Sequence, residues 1–133
     1  MRVFLDTNIV AYQFDNDFPE KQATARRIVQ EQARRASIST QVLLELTNVL
    51  TRKLKFSKQE VISVLEALDF DVVGADAQLV LRAAQTSASH DLSIYDAMIL
   101  EAAVRGHCEE LWTEDLATGS TLRGVRIVDP FQA

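Results

Sequence analysis

The sequence predicts an α/β fold: a three-layer α/β/α sandwich around a central, mostly parallel sheet of about five strands. Three observations carry this expectation. Short β-prone runs at 2–5, 36–39, 70–73, 110–113 and 125–128 alternate with longer segments of helical periodicity. Only 4 Gly and 2 Pro are present, so helix breakers are few. The apolar fraction of 47% over 133 residues supplies one ordinary core, and a single domain over 1–133 is expected.

The elements follow in order. Residues 2–5 form a strand that stops at Asp6, and a short helix runs from Thr7 to about Phe14. The polar stretch 15–19 is a loop, and Pro19 sits where a first helical turn begins, leading into a helix over 20–35. Residues 36–39 are a strand, after which Ser39 or Thr40 caps a helix reaching about Leu54. Ser57 opens another helix, with Glu60 completing a capping box. A strand at 70–73, a helix over 76–89 and a Ser93-capped helix over 94–105 come next, with Gly106 as its stop. The strands at 110–113 and 125–128 close the chain. Strands separated by helices imply right-handed crossovers, and ligands of such sheets bind beyond the carboxyl ends of the strands.

Composition narrows the function classes. A single cysteine, Cys108, excludes an internal disulfide, and no Cys/His cluster exists to hold zinc. A reduced, cytoplasmic setting is the expectation. An acidic residue interrupts the first apolar run too early for a signal peptide, and no stretch approaches the roughly 20 apolar residues of a spanning helix. Net charge is −5, but it is unevenly distributed. Residues 21–58 carry nine Lys and Arg against Glu31 and Glu45, a balance of +7. The rest of the chain is at −12. That basic segment is a solvated helix face or an arm for a phosphate backbone; Arg52, Lys53 and Lys55 lie nearest in sequence to the Glu45 helix.

Four acids stand out of place. Asp6 ends a buried strand, where helix N-capping alone would account for it. Glu45 borders the apolar stripe of Val42, Leu43, Leu46, Val49 and Leu50, whereas a solvent-pointing glutamate belongs near Leu44 or Thr51. Asp96 shares a helical face with Ile99, Leu100 and Ala103, opposite Glu101 and Arg105, although a capping box with Ser93 also explains it. Asp115 follows a strand and can start a turn, and Glu114 competes for the same place because adjacent residues of an extended chain face opposite ways. Gathered carboxylates repel unless a cation neutralises them. Oxygen ligands without Cys or His suit Mg²⁺ or Mn²⁺.

With these residues in view, the chain resembles the PIN-domain family, specifically its VapC-type toxins. The matching pieces are Phe4-Leu5-Asp6-Thr7-Asn8, the run 39–45 ending in Glu45, the run 92–97 around Asp96, Leu111-Trp112-Thr113-Glu114-Asp115-Leu116, and Val128-Asp129-Pro130-Phe131. Many relatives have Asn where Asp129 stands. The resemblance implies metal-dependent endoribonuclease activity, with a catalytic quartet of Asp6, Glu45, Asp96 and Asp115. Metal is expected at Asp6, Asp96 and Asp115, with Glu45 and Asp115 completing the sphere or orienting the attacking water. Thr113 and Asn8 match the family's supporting polar groups. The resemblance also implies an RNA substrate, a cognate antitoxin that covers the site, and a homodimer. Three other readings fit the residues less well. A receiver-like signalling domain wants a late lysine and a second acid near strand one, and no lysine follows Lys58. An aspartyl-nucleophile phosphatase wants an acid where Asn8 stands. A catalytically silent PIN-type binding module would not need the complete quartet.

Overall fold

The structure is a computed structural model that describes residues 1–132. Six strands form one sheet: β1 (Val3–Leu5), β2 (Ala36–Ser39), β3 (Asp71–Val73), β4 (Glu110–Trp112), β5 (Thr121–Leu122) and β6 (Val125–Val128). The order across the sheet is β3-β2-β1-β4-β6-β5. Every pairing is parallel except β5 with β6. The sequence led us to expect about five strands, and β5 is the additional one. Its hairpin turn is Arg123-Gly124, both at positive φ (53° and 78°), the backbone of a two-residue type I′ turn. Glycine supplies the second position freely; arginine at the first is an uncommon choice and hides the turn from sequence inspection.

Six helices flank the sheet: α1 (Thr7–Ala11), α2 (Pro19–Gln32), α3 (Thr40–Asn48), α4 (Lys58–Ala67), α5 (Ala77–His90) and α6 (Ile94–Arg105). Helices α5 and α6 pack on each other, and α6 lies on β2, β4 and β6. Helix α1 contacts α2 and α3 in a second group. The expected ends shift where the backbone leaves α geometry. After Ala11 the chain tightens into a 3₁₀ turn, Tyr12–Phe14, and after Asn48 it widens into a π turn, Val49–Lys53. Pro19 is at the start of α2 as expected, and Ser57 with Glu60 forms the complete capping box.

Burial is greatest in the central strands β1 and β2. All of Val3, Phe4, Leu5, Ile38, Leu111 and Ile127 are fully buried, as strands covered on both faces require. One expectation fails on α6. Glu101 was placed on the solvent side with Arg105, yet it is 3% exposed. Arg123 of the β5–β6 turn donates to both its oxygens, at 2.8 and 3.2 Å, and the Thr86 hydroxyl of α5 donates at 2.7 Å. Tertiary partners far along the chain therefore bury a charge that helical periodicity assigns to water. Among the described residues, no helix is long and apolar enough to cross a membrane.

Candidate active site

Strands β1 and β4 are neighbours, but the chain leaves β1 toward β2 and β3 on one side and continues from β4 toward β6 on the other. At such a reversal the loops separate and leave a crevice outside the carboxyl ends. Asp6 follows β1 there, and Thr113, Glu114 and Asp115 follow β4. A cleft of about 270 Å³ opens at this point, and five carboxylates line it: Asp6, Asp15, Glu45, Glu114 and Asp115.

Asp6 is 7% exposed and caps α1 through a 2.7 Å bond from the Thr7 backbone N–H. Its other oxygen accepts from the Thr113 hydroxyl at 2.8 Å. Burial pushes its carboxyl up to about 6, against these two hydrogen bonds and aided by the charges of Asp115 and Glu45. Asp6 therefore caps α1 and lines the cleft at once. Asp115 is held by Asn8 Nδ2 at 3.0 Å, and its backbone N–H donates to Thr113 Oγ1 at 3.0 Å. Its carboxyl is also raised, first by burial and then by Glu114, Asp96 and Asp129. Glu45 is half-buried while Leu44 beside it is 69% exposed, as the α3 stripe implied. Thr7 Oγ1 (3.1 Å) and Gln41 Nε2 (3.2 Å) both donate to Glu45 Oε1, which leaves Oε2 free.

Asp96 stands apart from the other three. It is the third residue of α6, half-buried, and does not line the cleft. Ser93 Oγ accepts from its backbone N–H at 3.1 Å, but among the described residues its own carboxylate makes no hydrogen bond, so only half of the capping box forms. Its charge is nevertheless felt at Asp115. Of the basic candidates, Lys53 lines the cleft, while Arg52 and Lys55 are exposed on and just after the π turn.

Lysines sort the cleft's acids. Lys21 pairs with Glu114 at 2.8 Å and Lys53 with Asp15 at 3.5 Å. Among the described residues, Asp6, Glu45 and Asp115 have no such cationic partner. Sequence reasoning did not reach Thr7, Tyr12, Asp15, Lys21 or Gln41. Thr7 and Tyr12 lie inside or just past the matched opening run, but nothing local marks Lys21 or Asp15.

A hard divalent cation fits these residues. The donors are all oxygen, and Asn8 Oδ1 is buried with no hydrogen-bond partner. They do not form a closed cage: among the described residues no three His, Cys, Asp or Glu side chains converge on one point. Mg²⁺ needs no such cage, because it keeps several waters and takes one or two carboxylates plus substrate phosphate. A larger cleft, about 640 Å³ and lined by α5, α6 and Arg123, has Glu101 as its one carboxylate, already ion-paired.

The PIN domain family profile matches residues 3–117. The chain belongs to the PIN domain family. No curated protein sequence matches it significantly. Among solved structures, its PIN fold is similar to a toxin–antitoxin complex from Klebsiella pneumoniae (TM-score 0.72, 20% identity, 100% of each chain covered). It is similar to the sarcin–ricin-loop-cleaving VapC toxin of Mycobacterium tuberculosis (TM-score 0.68, 19% identity, 82% of this chain and 86% of that one). It is also similar to a DNA-bound VapBC complex from Salmonella typhimurium (TM-score 0.67, 22% identity, 98% of each chain).

Proposed function

We propose that this PIN domain is a metal-dependent endoribonuclease and the toxin of a toxin–antitoxin pair. One observation carries the nuclease reading: three carboxylates lining one cleft, Asp6, Glu45 and Asp115, have no cationic side chain as partner among the described residues, while Asp15 and Glu114 in the same cleft are paired with lysines. Uncompensated buried charge is costly, so an arrangement that leaves it in place at a ligand crevice reads as a cation site. Similarity in fold to a VapC toxin and to a chain of a toxin–antitoxin complex supports the toxin role.

Asp6 and Asp115 would hold Mg²⁺ or Mn²⁺, with Asp96 reached directly or through water. When bound, such an ion would supply Lewis acidity that lowers the pKa of a water and offsets charge on the scissile phosphate. Thr113 and Asn8 fix the rotamers of Asp6 and Asp115 by the bonds described. Glu45, steadied on one oxygen by Thr7 and Gln41, offers Oε2 to take a proton from the attacking water. In-line attack of that water on phosphorus would form a new P–O bond as the bond to the leaving ribose oxygen breaks, and that oxygen would take up a proton from solvent, leaving a phosphomonoester and a hydroxyl. Lys53 at the cleft, with the exposed Arg52 and Lys55 close to it in sequence, would track the RNA backbone. A cognate antitoxin, a homodimer and a cytoplasmic location complete the reading.

The test is incubation of the pure chain with structured RNAs in Mg²⁺, in Mn²⁺ and in EDTA, beside Asp6→Asn and Asp96→Asn. Cleavage should need metal and vanish in Asp6→Asn. Cleavage that persists in EDTA would remove the mechanism, and metal-dependent binding without cleavage would make the chain a silent binding module. For the toxin role, expression should arrest growth, and a small protein from an adjacent reading frame should relieve it. An adjacent product that leaves both growth and cleavage unaffected would remove the pairing.

A further inference from the structure

We propose that Lys21 is a positioning residue that withholds Glu114 from the cation, so that Asp115 alone represents the β4 loop in the metal site. The inference rests on the metal-dependent reading above. Glu114 and Asp115 are adjacent and both line the cleft. Charge count alone would let either one, or both, serve. The structure separates them by their partners.

Both oxygens of Glu114 are committed. Lys21 Nζ donates to Oε2 at 2.8 Å, and the Tyr12 hydroxyl donates to Oε1 at 2.7 Å. The ammonium is itself held in place. It lies 4.9 Å from the Tyr12 ring centroid, 5.5 Å from Phe131 and 5.8 Å from Phe18. Tyr12 meets Phe18 and Phe131 edge-on, at 5.6 and 5.1 Å, so the three rings support one another. The faces of aromatic rings attract a cation, and the carboxylate completes its surroundings. A carboxylate engaged by an ammonium on one side and a phenol on the other is a poor ligand. Asp115 differs: Asn8, a neutral donor, occupies only its Oδ2. Lys53 does for Asp15 on another part of the rim what Lys21 does for Glu114. The two lysines thus limit how many negative charges the cation meets.

Releasing Glu114 should therefore strengthen cation binding. Mn²⁺ titration by isothermal calorimetry, on the purified full chain, reads this without any RNA. Lys21→Met should bind Mn²⁺ roughly tenfold tighter or more, the scale on which one unit charge at 4–6 Å acts. Glu114→Gln should stay near wild type, and the double variant should return to it. Lys21→Arg, which keeps the pair, should also match wild type. Should Lys21→Met fail to fold, Tyr12→Phe frees one Glu114 oxygen and should tighten binding to a smaller degree. Unchanged affinity in both of these variants overturns the proposal. Equal tightening in Lys21→Met and in the double variant also overturns it, because the effect would then be loss of a positive charge rather than release of Glu114. Wild-type protein that binds no Mn²⁺ overturns the metal-dependent reading itself, a result distinct from either.

Discussion

Two buried carboxylates in this small fold have opposite fates. Asp6, at the carboxyl end of β1, is 7% exposed and surrounded by other acids, and its carboxyl is pushed up to about 6. Glu101, in the middle of α6, is 3% exposed, and burial alone would raise it too. Bidentate donation from Arg123 and the Thr86 hydroxyl outweighs that, and its carboxyl lies below the usual range. One charge is compensated within the chain; the other is left for something outside it. The difference separates an ion pair that belongs to the fold from carboxylates that are candidates for the proposed reaction.

The sharpest way to break this contrast is activity. Asp6→Asn should lower Mg²⁺-dependent RNA cleavage by roughly 100-fold or more, in line with the losses that follow from disturbing a metal site. Glu101→Gln should leave the rate per folded molecule unchanged. Equal losses in the two variants would erase the distinction.

Stability should reverse the order. Arg123→Met leaves Glu101 buried without its cation and should cost about 3 kcal/mol in urea denaturation at neutral pH. Metal-free Asp6→Asn should instead gain on the order of 1 kcal/mol, because relief of an unpaired buried charge exceeds the hydrogen bonds that Asn reproduces poorly. A destabilised Asp6→Asn would mean that capping of α1, not charge, dominates at this position.

Ligand-linked stability sharpens the comparison further. A site saturated at 100 times its dissociation constant stabilises by about 2.7 kcal/mol. Mg²⁺ should therefore raise the melting temperature of wild type and of Glu101→Gln, but not of Asp6→Asn. The increment should shrink below about pH 6, where protons compete for Asp6.

The smallest effect is the metal-free pH profile. Asp6 has a raised carboxyl, so its contribution to stability is present at pH below the ordinary carboxylate value and is lost as pH rises through about 6. Glu101 has a lowered one, so its contribution is present above the ordinary value and is lost as pH falls through its depressed value. Urea midpoints from pH 3 to 8 should drift upward with pH in Asp6→Asn relative to wild type, and flatten at the acid end in Glu101→Gln. Parallel profiles in all three proteins would place the two carboxylates in like environments.

Much of this was legible in the chain. The strand β1 is apolar throughout because both its faces are covered, and Ser39, Ser57 and Ser93 cap the helices they precede. Asp6 and Asp115 could be placed at one sheet edge because strand ends and crossovers fix where acids after β1 and β4 must go. Glu45 could be placed because Leu44, not Glu45, points outward. Less legible were features whose partners are remote. The β5–β6 turn carries Arg123 where Asn or Asp is the usual signal, and the strand of two residues that leads into it is too short to show periodicity.

The sequence by itself therefore determined the α/β class, the order of its elements and the arrival of Asp6, Glu45 and Asp115 at the crevice, though not the position of Asp96 outside the cleft or of Asp15 within it, because local periodicity, capping and strand ends reach only so far. Only the tertiary structure decided which acids are left uncompensated. Lys21 reaches Glu114 across 93 positions, Lys53 reaches Asp15, and Arg123 reaches Glu101 from a turn 22 residues away. Whether a carboxylate is neutral in effect depends on a cation within a few ångströms, and that distance is set by packing rather than by any run of neighbouring residues.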